Sequence, residues 1–336
     1  MAIRIQKEGG VVINQGLQIE TQQGRENFAG QRILVTGARG FIGSHLVTEL
    51  CRQSAIVHCS SRIGHPQESR VTWHLVDLAD PVVVASLLRQ LRPNVIFSLS
   101  GLASVAYGLD SVMPCFEANC RSTVNLLLAA TELGNCRVVL ANSMLETCAS
   151  ETASIPRSPF SASKLASTIY SRMFHKVYGT RVTITRIAMV YGPGQWNLEK
   201  LVPHVIVSIL QNIAPALTSG KSQFDWIYIR DSVSGLLAAA LSSHCEGQTI
   251  DIASGTLTTV RTIVSEIVSL MKPSVALPKF GSLPDEPDEP MGLANLEHTY
   301  ALTGWQPTTS LREGLTETVR WYQMQFAAGM LTEPPG

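Results

Sequence analysis

Three evenly spaced glycines form the first group of residues whose spacing suggests chemistry. Gly37, Gly40 and Gly43 lie in the segment TGARGFIG, directly after the apolar run 33–35 and at the start of a helical pattern. Glycines at such a turn bring backbone N–H groups close to a pyrophosphate and let a helix pack closely on a strand. The segment therefore predicts a dinucleotide-binding loop, to which we also assign the intervening residues Arg39, Phe41 and Ile42.

The end of the second apolar run indicates which dinucleotide binds. NAD usually needs a carboxylate roughly 20 residues after the glycine loop, to hold its ribose hydroxyls. Residues 58–62 read HCSSR instead and contain no acid. The hydroxyl of Ser60 and the guanidinium of Arg62 suit a 2′-phosphate, on which Arg39 converges from the glycine loop. We therefore expect NADP, with NAD the less favoured cofactor.

A third apolar segment, 71–76, ends at Asp77 and Leu78. The carboxylate of Asp77 can accept a hydrogen bond from an adenine amino group. It can equally cap a turn, as aspartates often do at this kind of position. We assign both residues to the cofactor site, and the sequence leaves the two roles of Asp77 open.

Apolar runs alternate with longer amphipathic ones between residues 31 and 187. This alternation predicts an α/β fold, a doubly wound parallel sheet of Rossmann type with a smaller discontinuous C-terminal substrate lobe. Pro81 begins one predicted helix, and Gly134 and Gly179 end two others. We predict strands at 33–35, 55–57, 95–97, 138–140, 182–187 and 249–252, and helices at 44–52, 81–91, 117–133 and 161–178.

The chain divides into three parts in this interpretation. Residues 1–29 form a polar N-terminal leader. Residues 30–191, together with about 226–254, form the dinucleotide-binding domain. Residues from about 192 to 225 and from 255 to 330 form the substrate-binding lobe.

Composition and charge exclude several classes of function. The 336 residues carry 26 basic and 26 acidic side chains, so the net charge is zero and phosphate neutralisation on nucleic acid is not expected. No apolar stretch approaches the roughly 18–20 residues of a membrane span. The seven cysteines contain no C-x-x-C motif, which indicates neither a disulfide framework nor a zinc site. We expect a cytoplasmic protein with no metal, membrane or nucleic-acid partner.

Together the motifs resemble the extended short-chain dehydrogenase/reductase family, in its NAD-dependent epimerase/dehydratase group that modifies nucleotide sugars. The resemblance runs from about residue 31 to about residue 322. It rests on TGARGFIG at 36–43, Asp77-Leu78, Asn119 ahead of TVNLL at 123–127, PFSASK at 159–164, Arg186 with VYGPG at 190–194, DWIYIRD at 225–231 and LTGW at 302–305.

The resemblance implies a catalytic Ser after the fourth strand and a Tyr-x-x-x-Lys motif on the next helix. Ser143 fits the Ser, and Lys164 fits the Lys that holds the nicotinamide ribose. The Tyr position is Phe160, which has no proton to exchange with a substrate oxygen. The resemblance also implies a homodimer formed through two long helices. We assign substrate contacts to Ser143, Asn119, Tyr191 and Phe224.

Phe160 leaves three explanations open, because losing a positioned acid/base typically costs about 10²–10⁴ in rate. Another group can supply the proton: Ser143, a water, the substrate, Tyr107 or Tyr191. Alternatively, the cofactor serves chemistry that needs no Tyr. In the third explanation the protein binds a nucleotide without turning over.

The second half of the chain lacks the arginines that hold a diphosphate in relatives of this kind. Phe224 stands at the first of those positions, and no arginine occurs between Arg261 and Arg312. That interval instead carries the acidic tract PDEPDEP at 284–290. Lysines 200, 221 and 279 are substitutes without the bidentate guanidinium fork. The substrate is then less anionic than a nucleotide sugar or carries an amine, unless the acids are only a solvated surface loop.

The sequence therefore predicts an NADP-dependent oxidoreductase that reduces a keto-sugar or related carbonyl with an atypical proton donor. NADP favours net reduction over the closed redox cycle of an epimerase or dehydratase. An epimerase or dehydratase with tightly held NAD(P) is the first alternative, and a catalytically silent nucleotide-binding protein is the second. The expected partner is a small molecule, with a nucleotide sugar as one candidate.

Overall fold

The computed structural model describes residues 28–63, 70–103, 107–146, 155–285 and 291–331. Most of the predicted leader, the acidic residues 286–290 and the segment 147–154 after Ser143 lie outside the described residues. Within the described ranges, no helix is both long enough and apolar enough to cross a membrane.

A parallel sheet of seven strands forms the centre of the fold. The strands of the described residues are β1 (Arg32–Thr36), β2 (Ile56–Ser61), β3 (Thr72–Leu75), β4 (Val95–Ser98), β5 (Arg137–Ser143), β6 (Arg181–Ile187), β7 (Met189–Tyr191), β8 (Ala216–Leu217), β9 (Gln223–Tyr228), β10 (Thr249–Ile252), β11 (Leu257–Thr259) and β12 (Lys279–Phe280). The large sheet has the order β10-β6-β5-β4-β1-β2-β3. Its six strand pairs are all parallel, as the alternation of runs predicts.

Helices cover both faces of this sheet. They are α1 (Phe41–Arg52), α2 (Pro81–Leu91), α3 (Val112–Cys115), α4 (Ser122–Leu133), α5 (Pro159–Tyr178), α6 (Leu201–Leu210), α7 (Ile229–Leu241), α8 (Val260–Met271), α9 (Leu296–Thr303) and α10 (Leu311–Ala327). Alternate residues of one strand enter different cores, because successive side chains point to opposite faces. Ile33 and Val35 of β1 join the core on the α1 side, whereas Leu34 joins the core with α2 and α4. The doubly wound α/β fold is thereby confirmed.

The prediction of a single α-helix over 117–133 is wrong for its first turns. A π-helical segment, Phe116–Arg121, separates α3 from α4. The wider turn accommodates one extra residue, so a search for a 3.6-residue period passes over it. Such turns occur most often at functional sites, and this one buries Asn119 while Glu117 and Arg121 line a cavity.

Two small sheets accompany the large one. The first has the order β11-β9-β7 and the second pairs β12 with β8. The predicted late strand at 249–252 is confirmed as β10, which pairs with β6 at the edge of the large sheet. The division of the chain into a dinucleotide domain and a substrate lobe stays a prediction.

Candidate active site

A cavity of about 1000 Å³ lies at the carboxyl ends of β1, β2, β3 and β4. The strand order reverses between β1 and β4, the position where open α/β sheets bind their ligands. The cavity is lined by Gly37, Arg39 and Gly40, by 60–63 after β2, by 76–81 after β3, by 99–102 after β4, and by Pro114, Glu117, Ala118, Arg121 and Ser122.

Two glycines of the loop are required by backbone contacts. Gly37 has φ +66°, and a Cβ there would lie 2.7 Å from the backbone of Leu99. A Cβ on Gly43 would lie 2.2 Å from the carbonyl oxygen of Gly37. Gly40 precedes α1 without a side-chain cap, so the first N–H groups of α1 stay available for an anion. Phe41 and Ile42 belong to the first turn of α1 and pack against the core, outside the lining of the cavity.

The cavity wall formed after β2 and by the glycine loop carries the hydroxyl and guanidinium groups that the sequence predicts for a 2′-phosphate. Ser60 and Arg62 line it together with Arg39. Arg39 is half-buried and Arg62 is exposed, and neither forms an ion pair with any described residue. Three acids of the same cavity already have local partners, because Asp77 accepts from Ala79 N, Asp80 caps α2 and Glu117 pairs with Arg121.

Asp77 performs the turn-capping role that the sequence left open. Its Oδ1 accepts from the N–H of Ala79 at 3.0 Å. Leu78 is 7% exposed, and its carbonyl oxygen accepts from Asn125 Nδ2 at 3.0 Å. Both residues line the cavity, so the capped turn also forms part of its wall.

Ser143 and Lys164 converge on the carboxyl end of β5. The ammonium group of Lys164 donates to the carbonyl oxygen of Ala141 at 2.8 Å, two residues before Ser143. A Cβ on Gly101, which lines the cavity, would lie 3.6 Å from that Nζ. Ser143 is half-buried and its Oγ accepts from Leu145 N at 3.1 Å. Lys164 therefore lies beside the cavity wall at Gly101, although neither Lys164 nor Ser143 is one of the residues that line the cavity.

Phe160 lies on α5 one turn before Lys164 and is 7% exposed. Residues four apart share one face of a helix, so the ring occupies the face that also carries the ammonium group. The structure thus places a buried apolar ring where the resemblance implies a tyrosine hydroxyl.

Asn119 ties two sides of the site together. Its Oδ1 accepts from Leu102 N at 2.9 Å, and its Nδ2 donates to the Leu102 carbonyl at 3.3 Å and to Ser163 Oγ at 2.9 Å. The side chain is 2% exposed. It joins the loop after β4 to α5 beside Lys164, and its assignment as a substrate contact stays a prediction.

Tyr191 and Phe224 lie away from the cavity. Tyr191 is 1% exposed, its hydroxyl donates to the Leu311 carbonyl at 3.2 Å, and burial raises its pKa. Phe224 is half-buried on β9, with its ring 6.2 Å from that of Trp226. The packed surroundings of Tyr191 argue against its assignment as a proton donor or substrate contact. Tyr107 is 38% exposed on the loop before α3.

One ionisable residue of this region was not singled out from the sequence. Glu146 is 2% exposed, directly under α5, and burial raises its pKa to about 7. Lys164 is shifted in the opposite direction, because burial lowers its pKa to about 8. In the sequence, Glu146 looks like any acid in a loop that follows a strand. Only tertiary packing shows that its carboxyl group is buried.

Of the lysines considered as substitutes for the missing arginines, Lys200 lies nearest the cavity loops. Its Nζ donates to the carbonyl oxygen of Ala103 at 3.1 Å, one residue after the cavity-lining segment 99–102. Lys221 and Lys279 are exposed. Within the described ranges, no three His, Cys, Asp or Glu side chains are grouped as metal ligands would be.

Comparisons with known proteins agree with this geometry. The model of the NAD dependent epimerase/dehydratase family matches residues 33–253. The dTDP-glucose 4,6-dehydratase of Escherichia coli is 24% identical, over 87% of this chain and 93% of its own length. The UDP-glucose 4-epimerase of Mycolicibacterium smegmatis is 28% identical, over 87% of this chain and 98% of its own length.

Solved structures show the same fold. The UDP-glucose 4-epimerase of Thermotoga maritima, solved with UDP-glucose, has a TM-score of 0.79 at 23% identity and covers 88% of this chain and 99% of its own. The dTDP-glucose 4,6-dehydratase of Bacillus anthracis, solved with NAD, has a TM-score of 0.78 at 22% identity and covers 89% of this chain and 98% of its own. With the family model matching most of the chain, this protein belongs to the NAD-dependent epimerase/dehydratase family, whose members modify nucleotide sugars.

Proposed function

We propose that the protein is an NADP-dependent oxidoreductase of the nucleotide-sugar-modifying type, which reduces a keto-sugar or related carbonyl. The observation that carries the proposal is the pair Arg39 and Arg62 at the cavity wall, without an acidic partner among the described residues. Two guanidinium groups that share the cavity lining with Ser60 and Ser61, and that pair with no acid of the described residues, suit the 2′-phosphate of NADP.

The cavity fits a nicotinamide dinucleotide. Its volume, its glycine loop at the start of α1 and its place at the switch point of the sheet are those of a dinucleotide site. The uncapped N–H groups of the first turn of α1 would hold the pyrophosphate, and Lys164 would donate to the nicotinamide ribose beside Gly101. When bound, the nucleotide supplies hydride transfer.

The chain's own residues bind and orient the carbonyl. Ser143 Oγ would donate to the substrate oxygen at the carboxyl end of β5 while it accepts from Leu145 N. Phe160 excludes water from this face of α5 and gives no proton. With the Tyr191 hydroxyl engaged by Leu311, the remaining sources of the proton are Ser143, a water, the substrate and Tyr107.

The second candidate function is an epimerase or dehydratase with tightly held cofactor. The names of the relatives favour it, since they are nucleotide-sugar epimerases and dehydratases, and several neighbours were solved with NAD. In such an enzyme the hydride returns to the same sugar. Purified protein would then carry bound nucleotide and turn over with none added, whereas the proposed reductase needs stoichiometric NADPH.

Selectivity between NADP⁺ and NAD⁺ in arginine variants tests the proposal. Arg39→Ala and Arg62→Ala should each weaken NADP⁺ about tenfold to a hundredfold, because each removes a charged hydrogen bond, and should leave NAD⁺ affinity nearly unchanged. Arg89→Ala, an exposed arginine of α2 outside the cavity, is the matched control. Equal losses for both nucleotides, or none, would refute the 2′-phosphate assignment.

The substrate-binding lobe holds fewer arginines than a diphosphate site of this family would. Phe224 and the acidic tract stand where arginines are expected, and of the three lysines considered as substitutes Lys200 is the one that contacts a loop at the cavity. A nucleotide sugar remains the leading substrate class because the relatives act on such sugars. Lys200→Ala should then raise the KM for the sugar nucleotide and leave the affinity for NADP⁺ unchanged.

We also infer that the protein is a cytoplasmic homodimer. Exposed apolar side chains on α4 and α5 support a helix-mediated interface; they are Leu128, Ile169, Tyr170, Val177 and Tyr178. Light scattering during size exclusion should give twice the 36.4 kDa of one chain, and Ile169→Glu should give the monomer.

A further inference from the structure

The carboxyl group of Glu146 is a buried acid to which the proposed chemistry assigns no role. It closes the short turn Met144–Glu146, three residues after Ser143, and is 2% exposed. Asn142 Nδ2 donates to its Oε2 at 2.7 Å, and Thr168 Oγ1 donates to the same oxygen at 2.9 Å. These bonds fix the carboxyl group between the end of β5 and helix α5.

The same hydrogen-bond network holds the turn of α5 that carries Lys164. Asn142 Nδ2 also donates to the Lys164 carbonyl at 3.1 Å. Ser167 Oγ donates to that carbonyl at 2.8 Å and to Asn142 Oδ1 at 3.1 Å. Thr168 follows Lys164 by four residues and lies on the same helix face. Glu146 and Lys164 are therefore attached to one end of β5 through shared partners.

Three cations act on the Glu146 carboxylate, namely Lys164 and Arg172 of α5 and Arg186 of β6. Arg186 is neutralised by Asp251 of β10, with Nε 2.6 Å from Oδ1, and Arg172 is exposed. Lys164 has no carboxylate within ion-pair distance in the described part of the chain. Glu146 is the charged group that raises the pKa of Lys164 against the effect of burial.

A lysine buried without an anion tends to lose its proton, because burial disfavours the charged form. Phe160, one turn earlier on the same face, cannot ionise and offers Lys164 no counter-charge. A neutral amine would lose two of the properties that suit it to a ribose, its positive charge and its third N–H donor.

We propose that Glu146 is a positioning residue that keeps Lys164 positively charged, so that Lys164 can donate to the ribose hydroxyls of a nicotinamide nucleotide. Glu146 transfers no proton to substrate in this account; it acts only through the charge of Lys164. The identity of the ligand rests on the proposed function, whereas the interaction between the two side chains does not.

The interaction is tested without nucleotide by following the ¹³Cε chemical shift of Lys164 against pH, with the signal assigned by its loss in Lys164→Met. Glu146→Gln keeps the shape and removes the charge, and should lower the titration midpoint by about one pH unit. Glu146→Asp keeps the charge, so its Lys164 titration midpoint should lie close to that of the natural protein. Glu132→Gln, an exposed acid of α4, is the matched control and should change nothing.

Thr168→Val provides an independent variant should Glu146→Gln fail to fold. It removes the donor that stabilises ionised Glu146, so the Lys164 midpoint should fall by a smaller amount in the same direction. An unchanged midpoint in the folded variants would overturn the proposal. A midpoint that rises would overturn it as well, because the carboxyl group would then act only through packing.

Measuring nucleotide binding distinguishes the interaction between Glu146 and Lys164 from the proposed binding of NADP. If the midpoint falls from about 8 to about 7, Glu146→Gln should bind NADP⁺ about fivefold more weakly than the natural protein at pH 8 and equally well at pH 6. A uniform loss at both pH values would contradict a role through Lys164. If the natural protein binds neither NADP⁺ nor NAD⁺, the proposed function fails, and the chemical-shift titration still decides the interaction between Glu146 and Lys164.

Discussion

The ammonium group of Lys164 donates a 2.8 Å hydrogen bond to the carbonyl oxygen of Ala141, two residues before Ser143. This bond docks helix α5 onto the carboxyl end of β5 and brings the serine and the lysine to one site. It also places Lys164 beside the cavity wall, because a Cβ on Gly101 would lie 3.6 Å from the Lys164 Nζ. The hydrogen bond thus holds two residues of the proposed site near each other, although Phe160 stands at the tyrosine position.

Gly43→Ala should abolish nucleotide binding or destabilise the fold. The new Cβ would lie 2.2 Å from the Gly37 carbonyl oxygen, so α1 would have to move away from the glycine loop. Thermal unfolding and NADP⁺ titration would measure the two effects. Gly292→Ala is the matched control, since a Cβ there meets no atom within 4 Å. A Gly43→Ala protein with natural stability and affinity would show that the loop is not the binding site.

Phe160→Tyr should leave NADP⁺ affinity unchanged and should not raise the rate of carbonyl reduction substantially. The natural protein, in our account, already has a proton donor, and a buried hydroxyl without a partner costs about 1–3 kcal/mol. Steady-state rates with keto-sugar nucleotides would measure the effect. A rise of about 10²-fold or more would show that the natural site lacks a working acid/base group.

Asn119→Asp should weaken nucleotide binding with a smaller effect on stability. The carboxylate keeps the acceptor for Leu102 N but loses the donors to the Leu102 carbonyl and to Ser163 Oγ. The loop after β4 then separates from α5. Calorimetric affinity and urea unfolding, measured on one preparation, would distinguish the effects; a natural affinity in the variant would contradict the role of Asn119 as a tie.

The stability contributed by Glu146 should fall as pH rises. Its pKa is raised from 4.5 to about 7 in the folded state, so the folded protein holds this proton more tightly than the unfolded chain. The contribution is fully present below the pKa that Glu146 has in the unfolded chain. It is lost as the pH rises through the pKa that Glu146 has in the folded protein. Between pH 5 and 8 the unfolding free energy of the natural protein should drop by about 2–3 kcal/mol relative to Glu146→Gln. Denaturant titrations at the two pH values measure it; a pH-independent difference would contradict the raised pKa.

The large sheet was predictable because buried parallel strands read as apolar runs. The runs at 33–35 and 95–97 gave β1 and β4, and Pro81, Gly134 and Gly179 marked helix ends with a direct steric cause. The glycine loop was equally readable, since its spacing reflects backbone contacts. The π-helical turn was not, because one inserted residue disturbs the apolar period only locally.

The candidate site was predictable as far as local motifs reach. Lys164 donates to the carbonyl oxygen of Ala141, two residues before Ser143, so the motifs predicted that both residues lie near the carboxyl end of β5, and their catalytic roles stay predictions. The environment of Tyr191 was not predictable, because its hydroxyl donates to the carbonyl of Leu311, 120 residues away in sequence. Glu146 was missed for a similar reason, since Thr168, which donates a hydrogen bond to its carboxylate, lies 22 residues later on α5. Long-range packing leaves no short motif in the sequence.

The central claim is that the cavity holds NADP in preference to NAD. Calorimetric titration of the cofactor-stripped natural protein with NADP⁺, NADPH and NAD⁺ tests it most directly. We predict that NADP(H) binds at least about tenfold more tightly than NAD⁺, because one charged hydrogen bond to the 2′-phosphate contributes about that factor to the affinity. An equal or higher affinity for NAD⁺ would contradict the claim and favour an epimerase or dehydratase.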